Sequence, residues 1–250
     1  MMFKNYKIVI TGATSGIGLS TTKLFIEQGA TVIGIGRNFA KTTELGSKFI
    51  PCECDVRDPA QIEKACAFIS DTFAGELDTF VNNAGFGETT TIKDVTSEQF
   101  DRCFALLLRA GMLFGKALYP LLLKAPKKNA CIVNNASSAS RICAPDNTLY
   151  NLAKNAFVLY TKQQAAGFIG VRANSVSPGF IETPIFEREG SGMGNEAVVQ
   201  MYQQMAAITC GRTGKPEEVA DLIAFLASED AMYINGADVL IDGGLMTVVG

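Results

Sequence analysis

There is no histidine anywhere in the 250 residues. That absence removes Ser-His-Asp and Cys-His catalysis and every metal site built on imidazole. An acid or base here has to be Tyr, Lys, Asp, Glu or Cys. A basic excess is missing too: 22 Lys and Arg against 25 Asp and Glu leave a net charge of −3. Nucleic-acid binding would need a basic patch or stripe, so no nucleic-acid partner is expected. No apolar run reaches the about 18 to 20 residues that span a bilayer; the longest, Met112 to Leu123, is broken by Lys116 and Pro120. Met1 to Lys7 lack the apolar stretch of a secretory leader. The seven cysteines are odd in number, and the C-x-C spacing of Cys52 and Cys54 matches no common zinc pattern. All seven read as reduced packing residues of a cytoplasmic protein.

What is present is an alternation of β-rich and amphipathic stretches. Strand character falls at Lys7 to Thr11, Thr31 to Ile35, Phe49 to Cys54, Leu77 to Asn82, Ala130 to Asn135, Val171 to Val176 and Val239 to Asp242. Helical patterns lie at Gly16 to Gln28, Ala60 to Phe73, Ser97 to Leu123, Leu149 to Ala166 and Pro216 to Leu226. Strands joined through helices imply right-handed crossovers and a parallel sheet covered on both faces. The expected fold is α/β: a single Rossmann-type domain over residues 1–250, with a doubly wound parallel sheet of about seven strands flanked by helices. Pro178 to Thr213 interrupts the rhythm, with no strand signal and a glycine-rich tip at Glu189 to Gly194. Long irregular insertions are usually functional lids or disordered, and a substrate lid is expected at about residues 179–213.

Thr11-Gly12-Ala13-Thr14-Ser15-Gly16-Ile17-Gly18 follows the first strand and opens the first helix. Glycines there let the backbone approach a pyrophosphate, and the free N–H groups of the helix N-terminus attract its charge. The spacing is G-x3-G-x-G rather than G-x-G-x-x-G. Alone, such a sequence is often only a tight turn; its place between strand and helix gives it weight.

This TGxxxGxG loop is followed by Asp55-Val56 after the third strand and Asn82-Asn83-Ala84-Gly85 after the fourth. Further on come Asn174-Ser175-Val176-Ser177-Pro178-Gly179 and Asp242-Gly243-Gly244. In this order the motifs resemble the short-chain dehydrogenase/reductase family over nearly the whole chain. The resemblance implies an NAD(P)-dependent oxidoreductase that interconverts a secondary alcohol and a ketone. It implies a cofactor site of Gly12, Thr14, Ser15, Gly16, Ile17 and Gly18, with Asp55 on the adenine amino group beside Val56. Asn83, Ala84 and Gly85 would line the adenosine side. Pro178, Gly179, Ile181 and Thr183 would border the nicotinamide, with Thr183 near its carboxamide.

The choice of nicotinamide has a physical argument. NAD enzymes place a carboxylate after the second strand to bind the ribose 2′-hydroxyl. Here that place reads Gly36-Arg37-Asn38, and the next acid is Glu44. A guanidinium without a carboxylate suits a 2′-phosphate, so NADP(H) is favoured over NAD(H). Arg37 as a solvated residue stacking on adenine is the bland alternative.

Tyr150-Asn151-Leu152-Ala153-Lys154 places a phenol and an ammonium one turn apart on a helical pattern. The ammonium is expected to lower the phenol's pKa below its usual value near 10. A phenol tuned in this way can exchange a proton with an alcohol or ketone oxygen. Lys154 would also hold the nicotinamide ribose. Family spacing makes Ser137, rather than Ser138, the residue that polarises the substrate oxygen. A fourth family member, an asparagine that supports a water relay to the lysine, falls at Leu107, and no Asn lies between Gln99 and Asn129. Asn135, on the same strand face as Ser137, is a candidate replacement.

The segment after Phe180 carries Ile185, Phe186, Met193, Met201, Met205 and Ile208. These suit a bulky apolar pocket, walled also by Arg141 to Pro145, or they simply pack the lid. A hydroxysteroid is one fit and a 3-oxoacyl thioester or polyketide ketone another. A non-catalytic nucleotide-binding member is a competing class, to which Leu107 lends support, and the Tyr-Lys pair disfavours a flavin protein. Relatives are commonly homotetramers joined through the two long helices and the last strand, so a homotetramer or homodimer is expected.

Overall fold

The computed structural model describes residues 1–87, 89–184 and 195–249. Among them, seven strands form one parallel sheet in the order β3-β2-β1-β4-β5-β6-β7. These strands are β1 (Lys7–Thr11), β2 (Thr31–Gly36), β3 (Phe49–Glu53), β4 (Thr79–Asn82), β5 (Cys131–Asn135), β6 (Arg172–Pro178) and β7 (Asp238–Ile241). The chain winds outward from β1 to β3, returns, and winds the other way from β4 to β7. The carboxyl ends of β1 and β4 therefore flank a topological switch point, where open α/β sheets bind ligands.

Alternation along each strand supplies both faces. Ile8 and Ile10 pack with Phe25 of α1 (Gly16–Glu27) and with Val219 and Ile223 of α7 (Pro216–Ala227). Val9 and Phe80 face the other way, onto α2 (Pro59–Thr72) and α4 (Ala110–Leu122). Asp58 caps α2 by accepting from Ala60 N, with Pro59 in the first turn. α3 (Ser97–Phe104) opens with a reciprocal cap between Thr96 and Gln99. It runs into α4 through a wider π-type turn at Ala105–Arg109 that contains Leu107. α5 (Thr148–Gly167) lies beside α4, close enough that a Cβ at Gly111 would stand 2.9 Å from the Phe157 ring.

One expectation needs correction. The span from Pro178 to Thr213 is not irregular throughout: α6 occupies Asn195–Ile208. Its Glu, Gln, Met and Ala residues are good helix formers, and a segment without strand signal can still be a helix. The combined helix Ser97–Leu122 is long and apolar enough to cross a membrane by length and composition alone. Phe114, Leu118 and Leu122 in it are fully buried against the sheet.

Candidate active site

The phosphate loop is shaped by two glycines at which any side chain would force the backbone to move. Gly12 has φ +67°, a left-handed conformation that favours glycine. A Cβ at Gly18 would stand 2.1 Å from the Gly12 carbonyl oxygen, so the first turn of α1 lies directly on the loop. The loop is also bonded to both neighbouring strands. Gly12 N donates to the Ile35 oxygen at 2.8 Å, and Thr11 Oγ1 accepts from Asn83 N (2.9 Å) and Ala84 N (3.0 Å). Asn83 Nδ2 donates to the main-chain oxygens of Thr11 and Gly12. The Asn83 side chain thus braces the loop from behind.

Beyond β2 and β3 the cleft is polar. Arg37, Asn38, Lys41, Asp55, Val56 and Arg57 line it. Arg57 grips the Asp55 carboxylate with Nε at 3.0 and 3.2 Å and Nη2 at 2.5 Å. These hydrogen bonds, aided by the nearby charge of Arg37, hold the Asp55 carboxyl down at about 2. Sequence reasoning missed Arg57 and Lys41. The position of Arg57, two residues after Asp55, was the available signal.

The opposite end is buried. β5 delivers Asn135 and leads to Ser137, which starts a 3-10 turn (Ser138–Arg141) by accepting from Ala139 N at 3.2 Å. α5 opens at Thr148, so Tyr150 stands in its first turn and Lys154 one turn further on. Lys154 is only 5% exposed; its Nζ donates to the Asn135 main-chain oxygen at 2.7 Å. The rings of Tyr150 and Phe157 each lie 5.7 Å from that nitrogen. Leu107 packs with Cys103, Leu149 and Ala153 beside them.

Here the expected direction of one acidity is reversed. Burial pushes the Tyr150 phenol above its ordinary value, although a hydrogen bond with Ser137 pulls the other way. Burial also brings Lys154 down to about 8, against a nearby Cys103 that acts upward. Desolvation is the largest cause at both groups and disfavours the charged form of each.

The remaining wall comes from the end of β6. Pro178, Gly179, Ile181 and Thr183 line the cleft together with Phe180 and Pro184. Thr183 reaches the phosphate loop, its Cβ 3.2 Å from where a Gly16 Cβ would stand. The Tyr202 hydroxyl donates to the Ile181 oxygen at 2.9 Å and ties α6 to this wall. Met201 lines the cleft, whereas Met205 lines a separate, smaller cavity. Ile208 is partly exposed, and Ile185, Phe186 and Met193 lie outside the described residues. In the Arg141 to Pro145 stretch, Ile142 and Ala144 line the cleft, while Arg141 bonds Asp238 at 2.7 Å.

The catalytic and cofactor-binding residues expected from the sequence meet in one cleft of about 1490 Å³, including Thr14, Ser15, Ile17, Ala84 and Gly85. That is larger than an ordinary small-molecule pocket, with room for a dinucleotide and a second molecule. The glycine cradle, the α1 N-terminus and the polar far end fit a dinucleotide's pyrophosphate and adenosine. The cysteines need a further correction. All seven are free, but Cys143 and Cys210 are exposed and Cys66 is only partly buried, because Cys143 and Cys210 sit on loops.

A family model described as "Enoyl-(Acyl carrier protein) reductase" matches residues 12–246. The chain is 35% identical to the 3-oxoacyl-[acyl-carrier-protein] reductase FabG of Thermotoga maritima, over 95% of this chain and 96% of that protein. It is 32% identical to a 7alpha-hydroxysteroid dehydrogenase of Bacteroides fragilis, over 97% of this chain and 95% of that protein. A solved short-chain dehydrogenase/reductase of unknown function from Caenorhabditis elegans superposes with a TM-score of 0.89 at 31% identity, covering 100% of this chain and 98% of that one. The chain belongs to the short-chain dehydrogenase/reductase family of oxidoreductases.

Proposed function

We propose that the protein interconverts a secondary alcohol and a ketone with a nicotinamide dinucleotide, using Tyr150 as acid and base. The observation that carries this reading is Tyr150, half-buried at the cleft, one helix turn from the buried Lys154, with Ser137 lining the same cleft. When bound, the nicotinamide supplies or accepts the hydride. Ser137 polarises the substrate oxygen, and Tyr150 donates its proton to the ketone or takes one from the alcohol. A phenol held protonated by burial suits ketone reduction near neutral pH, and alcohol oxidation gains as pH rises. Lys154 holds the ribose hydroxyls and supports the phenolate. Gly12, Gly16 and Gly18 cradle the pyrophosphate, and Asp55 takes the adenine amino group.

NADP(H) is proposed over NAD(H). Arg37 and Lys41 line the far end of the cleft, where Arg57 is already committed to Asp55. Phe86, Leu106, Ile142, Phe180 and Met201 favour a bulky apolar substrate, a hydroxysteroid first and a 3-oxoacyl thioester second. Likeness to both a hydroxysteroid dehydrogenase and an acyl-carrier-protein reductase keeps the two together. A panel of hydroxysteroids, 3-oxoacyl thioesters and sugars, run with NADPH and NADH beside Tyr150→Phe, tests the reading. Turnover on none of them despite dinucleotide binding would favour the non-catalytic alternative.

A homotetramer or homodimer, a lid over residues 179–213 and a cytoplasmic setting belong to the same reading. Exposed Phe100, Met112, Leu152 and Leu159 on the two long helices support the assembly; a monomer in sedimentation would remove it.

A further inference from the structure

Lys154 is supported from the strand side. Its Nζ bonds the Asn135 main-chain oxygen, whereas the π-type turn brings the Leu107 methyl beside it. A Cβ at Gly85 would stand 3.4 Å from Leu107 Cδ2 and 3.9 Å from Lys154 Nζ, so a methyl group and the ammonium flank the same spot. An ammonium carries three N–H donors, and burial is tolerable only when they find acceptors.

The Asn135 side chain is oriented by its neighbours. Asn83 Nδ2 is committed to the Thr11 and Gly12 oxygens at 3.0 and 3.3 Å. Asn83 Oδ1 is therefore an acceptor, and Asn135 Nδ2 donates to it at 2.9 Å. Reversing the Asn135 amide would set two carbonyl oxygens against each other. Asn135 Oδ1 is thus the free end, buried and without a partner among the described residues, in a residue only 9% exposed that lines the cleft. A buried carbonyl oxygen calls for a donor.

We infer that Asn135 is a positioning residue for Lys154. It ties the strand end that holds the ammonium to Asn83, which braces the phosphate loop, and through Oδ1 it offers an acceptor for a water shared with that ammonium. This role rests on the proposed function of Lys154. The titratable groups facing Lys154 are Tyr150 on its own helix and Cys103 on α3, with Arg102 of α3 lining the same cleft. All three stay in place in the variants that follow.

An apolar residue at 135 removes the polar support, so the ammonium gives up its proton at lower pH. A carboxylate there keeps the acceptor and adds charge, which moves the titration up. The test is an NMR titration of the Lys154 Cε resonance in ¹³C-lysine-labelled protein, assigned by its loss in Lys154→Met. Asn135→Leu is expected to lower the midpoint by about half a pH unit or more, and Asn135→Asp to raise it by about as much. Leu107→Asn added to Asn135→Leu should bring the midpoint back, because it puts an amide where the methyl now stands. A midpoint unmoved in both single variants, or not restored by Leu107→Asn, overturns the inference. Should Asn135→Leu fail to fold, an unmoved midpoint in Asn135→Asp overturns it alone. Turnover retained by Tyr150→Phe would instead sink the proposed function, and the lysine titration would still decide the role of Asn135.

Discussion

At the end of the cleft near Arg37 and Asp55, ionisable groups sit in contact with one another and near solvent. At the other end, half-buried Tyr150 and buried Lys154 sit among strand and helix residues. The Asp55 carboxyl falls to about 2 because Arg57 hydrogen-bonds it, whereas Lys154 falls to about 8 because burial strips its solvation. The first end stabilises charge and the second suppresses it. A charge-stabilising surface recognises a charged ligand group; a charge-suppressing pocket holds the phenol protonated and brings the ammonium closer to neutrality. On the proposed reading, the two ends divide cofactor choice from proton transfer.

The largest expected effect breaks the buried end. Tyr150→Phe keeps the ring and removes the proton, so kcat should fall by about 10²- to 10⁴-fold. Dinucleotide affinity, followed by fluorescence, should change little. Next comes the loop that joins the two ends. Gly18→Ala sets a Cβ 2.1 Å from the Gly12 oxygen, and the backbone has to move. Overpacking of this kind costs about 1 to 3 kcal/mol, so Tm should fall and dinucleotide binding weaken by about tenfold or more. Unchanged affinity in Gly18→Ala would show that the loop does not carry the cofactor.

The buried end and the loop were also the most legible parts of the sequence. Period-two strands and the glycine turn depend on local chain geometry, so β1, α1 and the Gly12–Gly18 loop could be read within a residue or two. The Tyr150–Lys154 spacing is likewise set by one helix. The sign of the Tyr150 shift was not legible, because desolvation depends on what packs around the ring from α3 and β5. Arg57 was missed for a similar reason: its grip on Asp55 depends on how the chain turns after β3. α6 was passed over because Glu189 to Gly194 drew attention to glycine and away from the helix-forming residues beyond it.

At the polar end, Arg37→Glu tests selection. It replaces a guanidinium facing the cleft with a carboxylate, which repels a 2′-phosphate and suits a 2′-hydroxyl. The ratio of kcat/KM for NADPH over NADH should fall by about tenfold to a hundredfold, since each tenfold step corresponds to about 1.4 kcal/mol. A ratio that stays put would mean that Arg37 is merely solvated.

The smallest effect belongs to Arg57→Ala. The folded-state value of Asp55, about 2, lies below the ordinary 3.8. Its ionised form therefore contributes stability above pH 3.8 that is lost as pH falls through about 2. Without Arg57 that value rises towards 3.8 and the window closes. Arg57 is 40% exposed in this pair, so solvent screening keeps the gain small. Acid unfolding followed by circular dichroism should start at a slightly higher pH in Arg57→Ala, with the reacting end untouched: the Lys154 titration should stay near 8. If Arg57→Ala moved the Lys154 titration as well, the two ends would be electrostatically coupled, and their separation into selection and chemistry would not hold.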